Sequence, residues 1–359
     1  MLTVVVAALG YFVDIFDLLL FGIVRVNSLK DLGIREEQIM SVGVRLINLQ
    51  MSGMLCGGLI WGVLGDKRGR VSVLFGSILL YSVANILNAY VSLFGSWAVF
   101  AYGVLRFIAG IGLAGELGAG ITLVSETLSR ENRGYGTTVV ATLGVFGGVF
   151  AGYIAERYPW QQAYLLGGIM GLALLALRIA TMESHLYHRI DKDVIKGNLR
   201  FFLKPAQAMK YVRCVLIGLP IWFVIGILIT FSPELARAMG VQDDVLAGKA
   251  IIYCYLGLGV GDFAAGLLSQ WFRTRKKIVS AFLVTTLFTI AVYLTKGGAC
   301  SPEGFYFLCC LLGIGTGYWA IFVTAASEQF GTNLRATVTT TVPNFVRGSV
   351  VLLTLSFEF

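Results

Sequence analysis

Residues 62–70 read Gly62-Val63-Leu64-Gly65-Asp66-Lys67-Arg68-Gly69-Arg70. Long apolar runs flank this charged stretch, at 40–64 before it and 71–90 after it. A membrane-crossing helix needs about 20 mostly apolar residues, so the nonapeptide is a short turn between two crossings. Further runs of that kind lie at 3–24, 97–124, 136–155, 160–181, 214–231, 250–271, 278–295, 305–326 and 336–355, which predicts eleven spans. The composition agrees. Of 359 residues, 57% are apolar and 13% charged, and mean hydropathy is +0.80. A soluble domain carries about 25% charge. A chain of this length has too little core to hide such an apolar excess. This argues against a soluble enzyme, a disordered chain and a secreted disulfide scaffold. Strand-length alternation is absent, which argues against a β-barrel. The first run is long and lacks a small-residue cleavage site, so it reads as a retained span.

The basic turn at 62–70 also sets the orientation. The loops on its side of the membrane hold 17 of the 28 Lys and Arg, against 7 in the opposite loops, Arg25 among them. Four more, Arg45, Arg106, Arg178 and Arg347, lie inside spans or near their ends. Positive charge stays inside, so the turn and the N-terminus are cytoplasmic. The net charge of +8 then belongs mostly to a basic cytoplasmic face, and no basic folded domain exists to bind nucleic acid. The longest hydrophilic stretch, 182–213, carries both histidines, His185 and His188, and reads as a cytoplasmic linker. It divides the chain into a six-span bundle at 1–181 and a second bundle at 214–359. The six cysteines lie mostly in or beside spans without metal-ligand spacing, so no metal or other cofactor is expected. No G-x-x-x-x-G-K-[ST] run supports an ATP-driven pump.

The two bundles repeat one another. Ser125-Glu126 followed by Arg133 matches Ser327-Glu328 followed by Arg335, an offset of 202. Gly110-Ile111-Gly112 matches Gly313-Ile314-Gly315 at 203, and Gly62–Arg68 matches Gly266–Phe272 loosely at 204. Two parallel copies about an axis along the membrane normal, with a cavity between them, form a transporter architecture. The repeat also predicts a twelfth span beyond Phe359, as the counterpart of 160–181.

The residues at 62–70 resemble the G-x-L-a-D-r-x-G-r-k/r signature of the major facilitator superfamily. Arg106, the glycines at 110, 112 and 115, Glu116, Ser125-Glu126 and Arg133-Gly134 resemble the span-four run of sugar porters and metabolite:proton symporters. Asp14 and Asp17 resemble the D-x-x-D first span of the aromatic-acid and metabolite:proton branches. The resemblance implies an all-α membrane fold of two parallel six-helix halves and a rocker-switch transporter, not an enzyme. It implies a cytoplasmic gate at Gly62, Gly65, Asp66, Arg68, Gly69 and Arg70, with Glu126, Arg133, Glu328 and Arg335 alongside. In the second half Gln270 stands where the first has Asp66, so any gate there is built differently. Span five carries no Gly-Pro pair, unlike antiporter branches, which favours symport.

Ionisable groups at mid-membrane are expensive and usually face a cavity or a partner. Asp14, Asp17, Arg106 and Glu116 are the candidates for proton coupling. In sugar porters a first-span Asp pairs with the span-four Arg; carried over, the pair is Asp17 (or Asp14) with Arg106. The competing reading is a fixed structural ion pair. Asp262 is a candidate gate charge of the second half. Arg45, Asn48 and Arg347 are candidate substrate ligands, because an arginine fork matches a carboxylate or phosphate. Each arginine could equally neutralise an Asp. Tyr318, Trp319 and Trp222 are candidate cavity-lining aromatics, with packing into lipid as the alternative. The expected function is a monomeric, proton-coupled symporter of the bacterial inner membrane, embedded in its lipid bilayer. Its cargo would be a small anionic or zwitterionic metabolite. A proton-driven exporter of a drug or siderophore-like product is the alternative.

Overall fold

The computed structural model describes residues 2–127, 133–182, 205–330 and 335–355. Among these residues the chain is helical, with no strand. The first half consists of α1 (Leu2–Asp31), α2 (Glu36–Arg68), α3 (Arg70–Ala89), α4 (Ala98–Leu113), α5 (Glu116–Thr127), α6 (Arg133–Arg157) and α7 (Trp160–Met182). The second consists of α8 (Pro205–Phe223), α9 (Ser232–Met239), α10 (Ala247–Trp271), α11 (Arg275–Lys296), α12 (Pro302–Thr316), α13 (Trp319–Glu328) and α14 (Arg335–Leu355). Eleven stretches are long and apolar enough to cross a membrane, in the predicted order.

Three spans are not the plain helices that their hydropathy predicts. The fourth span breaks at Ala114-Gly115 between α4 and α5, and the tenth breaks at Gly317-Tyr318 between α12 and α13. These breaks stand at equivalent points of the repeat. In the seventh, α8 runs on into a π-helical segment, Val224–Ile229, where Thr230 Oγ1 donates to the Ile225 carbonyl at 2.8 Å. Helix α8 begins at Pro205, so the last part of the expected 182–213 linker is already helix; residues 183–204, with both histidines, lie outside the described residues.

The repeated glycines have a packing cause. A Cβ on Gly53 would strike the Phe107 carbonyl, and one on Gly110 the Gln50 carbonyl, so α2 and α4 touch backbone to backbone. In the second half Gly257 faces the Cys310 carbonyl and Gly313 the Cys254 carbonyl in the same way, between α10 and α12. In lipid, helix association relies on such close approach, because tails and side chains are equally apolar. The halves themselves meet along α2 with α14 and along α6 with α10. Helix α1 is the hub of the first half, packed against α5, α6 and α7.

Candidate functional site

Asp14 and Asp17 lie one turn apart on α1, and both are fully buried. Their partners differ. Arg347 of α14, in the other half, brings Nη2 to 3.7 Å from Asp14 Oδ2. That is an ion pair without a hydrogen bond. Neither Asp14 oxygen and none of the three Arg347 nitrogens has a hydrogen-bond partner among the described residues. The guanidinium rests instead against the rings of Trp222 and Trp319, at 5.7 and 5.5 Å from their centroids. Tyr11, Ile15, Trp222, Tyr255, Trp319 and Arg347 line a cavity between the halves, with room for roughly a single water. A charge-bearing fork with free donors beside aromatic walls can take a carboxylate.

Arg106, on α4, does not reach either aspartate directly. It donates to Asn85 Oδ1 of α3 at 2.6 Å and to Gln50 Oε1 of α2 at 3.5 Å. Phe21 and Tyr164 cover it, with ring centroids 5.8 and 5.0 Å away. No Arg106–aspartate ion pair within 4.0 Å is found among the described residues. Asn85 takes the hydrogen bond that the direct pairing would have used.

Glu116, the first residue of α5, is held by Arg178 of α7. Arg178 Nη1 donates to Oε2 at 2.9 Å and Nη2 to Oε1, in a buried bidentate pair. Arg25 corrects the loop count: it lies within α1, fully buried, and not in a loop. Its guanidinium pairs with Glu234 of α9 and covers the Phe231 ring, 4.7 Å from the centroid. That pair ties the two halves near the periplasmic end of α1. Asp262 of α10 accepts the Ala320 N–H at 3.0 Å, capping the start of α13 after the break in span ten.

The other predicted residues fall in several places. Trp222 and Trp319 do line the cavity. Tyr318 is buried but donates its hydroxyl to the Ile217 carbonyl at 2.9 Å, away from the cavity lining. Asn48 accepts from Thr354 Oγ1 at 2.8 Å, joining α2 to α14. Arg45 is exposed on α2, three residues before the half-buried Asn48. It lies outside the cavity lining. Of the gate residues, Gly62 packs against Thr337 and Thr341 of α14, and its carbonyl accepts from Thr337 Oγ1 at 3.3 Å. Gly65 is buried and Arg68 exposed. Gly69 joins α2 to α3 at φ +92, which a side chain would strain. The side chains of Asp66, Arg70, Glu126, Arg133, Glu328 and Arg335 lie outside the described residues.

The sequence reading missed Asn85, Glu234 and the roles of Arg178 and Arg25. Asn85 and Asn88, three apart in an apolar run, were a readable signal. The partners of Arg178 and Arg25 are remote in sequence and left none.

Two helical bundles related by an internal repeat, with buried carboxylates and arginines meeting at a closed cavity between them, make a secondary transporter. The chain belongs to the Major Facilitator Superfamily, which it matches over residues 7–353. It is 24% identical over 358 residues to the putative niacin/nicotinamide transporter NiaP of Bacillus subtilis, covering 95% of this chain and 84% of that one. It is 24% identical over 350 residues to the gentisate transporter of Corynebacterium glutamicum, covering 92% and 74%. A crystal structure of a D-xylose–proton symporter shares the fold, with TM-score 0.71 at 16% identity, over 99% of this chain and 88% of the other. The protein is thus a multi-pass inner-membrane transporter of small metabolites and not an enzyme.

Proposed function

We propose that the protein is a proton-coupled symporter that imports a small organic anion, an aromatic or heteroaromatic monocarboxylate of the kind that names its relatives. The observation that carries this reading is Arg347: a buried guanidinium between two tryptophan rings, at the cavity, with no hydrogen-bonded partner among the described residues. A substrate carboxylate would dock bidentately on it, and the ring would stack against Trp222, Trp319 or Tyr11. Asp14 supplies the coupling. While ionised, it holds the charge of Arg347. When it takes a proton, Arg347 is left in need of an anion, and the substrate carboxylate replaces the aspartate. Proton and anion then cross together with no net added charge inside the membrane, which avoids the cost of moving an unpaired ion through it. Asp17, coupled to Arg106 beside Asn85, is a second protonation site on the same helix. The cavity is too small for such a cargo in this closed state, so the halves must part to admit it.

The test uses purified full chain in proteoliposomes, with labelled nicotinate and 4-hydroxybenzoate. An inward proton gradient should drive accumulation, and a carboxamide analogue should not compete. Arg347→Gln removes a charged hydrogen-bonding partner, so it should weaken binding by roughly 10- to 100-fold. Binding to the wild type should weaken as pH rises, because the proton that frees Arg347 is lost. Asp14→Asn mimics the protonated state and should bind with little pH dependence while failing to accumulate. Gradient-driven accumulation at the wild-type level in Asp14→Asn would overturn the role of Asp14. Substrate-driven proton efflux in place of uptake would indicate an exporter.

A further inference from the structure

One intramembrane charge lies outside the lining of the central cavity. Arg45 is exposed on the outer face of α2, with no hydrogen bond or ion pair among the described residues. It borders a groove of about 490 Å³ between α2 and α4. The other walls include Val42, Leu49, Phe100, Val104 and Phe107, and no carboxylate lines it. The volume falls within the range of about 300–1,000 Å³ typical of ligand clefts.

The depth of the groove can be read from the packing. Leu46 and Leu49 of α2 meet Gly103 of α4, so Arg45 lies about one turn below the start of α4 at Ala98. Trp97, just above, is 68% exposed, and Phe94 52%; exposed aromatics of this kind mark the membrane–water interface. Side chains on a helix lean toward its N-terminus. The N-terminus of α2 is on the same side as Trp97, so the guanidinium leans up to headgroup level. Below it the groove runs down into the hydrocarbon layer.

We propose that this groove binds one anionic phospholipid of the periplasmic leaflet, its phosphate on the Arg45 fork and an acyl chain along Leu49, Val104 and Phe107. A phosphate matches the planar donors of arginine bidentately. The apolar walls give a chain something to fill that a free anion would leave empty. No carboxylate stands among the groove walls to pair with an ammonium beside the Arg45-bound phosphate, which favours phosphatidylglycerol over phosphatidylethanolamine.

Native mass spectrometry of the detergent-purified protein, titrated with each lipid, tests this. Phosphatidylglycerol should be retained on the wild type with greater affinity than phosphatidylethanolamine. Arg45→Gln, on an exposed face, should weaken phosphatidylglycerol by about tenfold, as expected for the loss of one charged hydrogen-bonded partner. Val104→Asp, which keeps Arg45 but places a carboxylate among the groove walls, should weaken it as well. Equal retention by Arg45→Gln, no preference between the two lipids, or equal binding of glycerol phosphate alone would each overturn the proposal.

Discussion

Gly10 and Gly167 lack side chains where charges need the space. A Cβ on Gly10 would strike Glu116 Oε1 and Arg178 Nη2, and one on Gly167 would strike Asp17 Oδ1. The Glu116–Arg178 pair is closed on both oxygens, so it ties α5 to α7. Removing one member of a buried pair strands the other and costs about 3–5 kcal/mol. Glu116→Gln should therefore lower the melting temperature of the detergent-solubilised protein by several degrees, and Glu116→Asp by less. Whatever transport survives should keep its proton coupling. Wild-type stability in Glu116→Gln would remove the structural role. The ionisable members of these pairs were legible because each interrupts an apolar run. Which acid meets which base was not legible. Asp17, or alternatively Asp14, was expected on Arg106; Arg106 instead donates to Asn85, and Asp14 faces Arg347 across the interface, since pairing depends on helix rotation and on contacts between distant segments.

At the scale of helices, the eleven spans and their repeat were legible, and the structure gives the repeat a mechanical basis. The Gly53–Gly110 crossing of α2 with α4 is rebuilt as the Gly257–Gly313 crossing of α10 with α12, where each absent Cβ faces a backbone carbonyl. A backbone carbonyl cannot rotate aside as a side chain can. Gly110→Ala and Gly313→Ala should each force the helices apart and destabilise by about 1–3 kcal/mol, in the range of overpacked cores. Gly120→Ala, with nothing within 4 Å of a Cβ, should be nearly neutral. Thermal unfolding of the three variants in one detergent checks this, and similar losses in all three would refute the crossing argument. The helix breaks in spans four and ten were not legible, because hydropathy stays high through them. Nor was the rotation of each helix. In lipid both the inward and the outward faces are apolar, so a 3.6-residue pattern does not tell them apart. That is why Arg45 lies on the outside and Tyr318 away from the cavity, while Trp222 and Trp319 face inward.

For the whole molecule, the fastenings between the halves decide how it moves. Near the periplasmic side Arg25 holds Glu234. In the cytoplasmic half α14 presents a hydroxyl- and amide-rich face. Thr337 donates to the Gly62 carbonyl at 3.3 Å, Thr339 to that of Gly118 at 3.5 Å, and Asn344 to that of Ala114 at 2.8 Å. Ties thus lie on both sides of the small cavity, and opening it to either side requires one set of them to break. The α14 hydrogen bonds suit that task. Interhelical hydrogen bonds in membranes average only about 0.6 kcal/mol, so they can be exchanged at low cost. The Arg25–Glu234 pair is more asymmetric: Arg25 is fully buried, while the Glu234 side chain is 28% exposed. Glu234 Oε2 itself is buried and without a hydrogen-bond partner among the described residues, so the exposure lies elsewhere in the side chain. Turning the charge-assisted contact into a neutral hydrogen bond costs about 1 kcal/mol, which corresponds to a factor of about five in population. Glu234→Gln keeps the shape and removes the charge, so it should enrich the periplasm-open state by about that factor. A cysteine at Ile15, which lines the cavity, reports the change in a background without the six native cysteines. A membrane-impermeant maleimide added from the periplasmic side should label it about fivefold faster in Glu234→Gln than in the parent. Labelling from the cytoplasmic side should slow, because the two open states draw on one population. Unchanged rates from both sides would mean that the pair is packing and not a gate, and that periplasmic closure rests on the α6–α10 contacts alone.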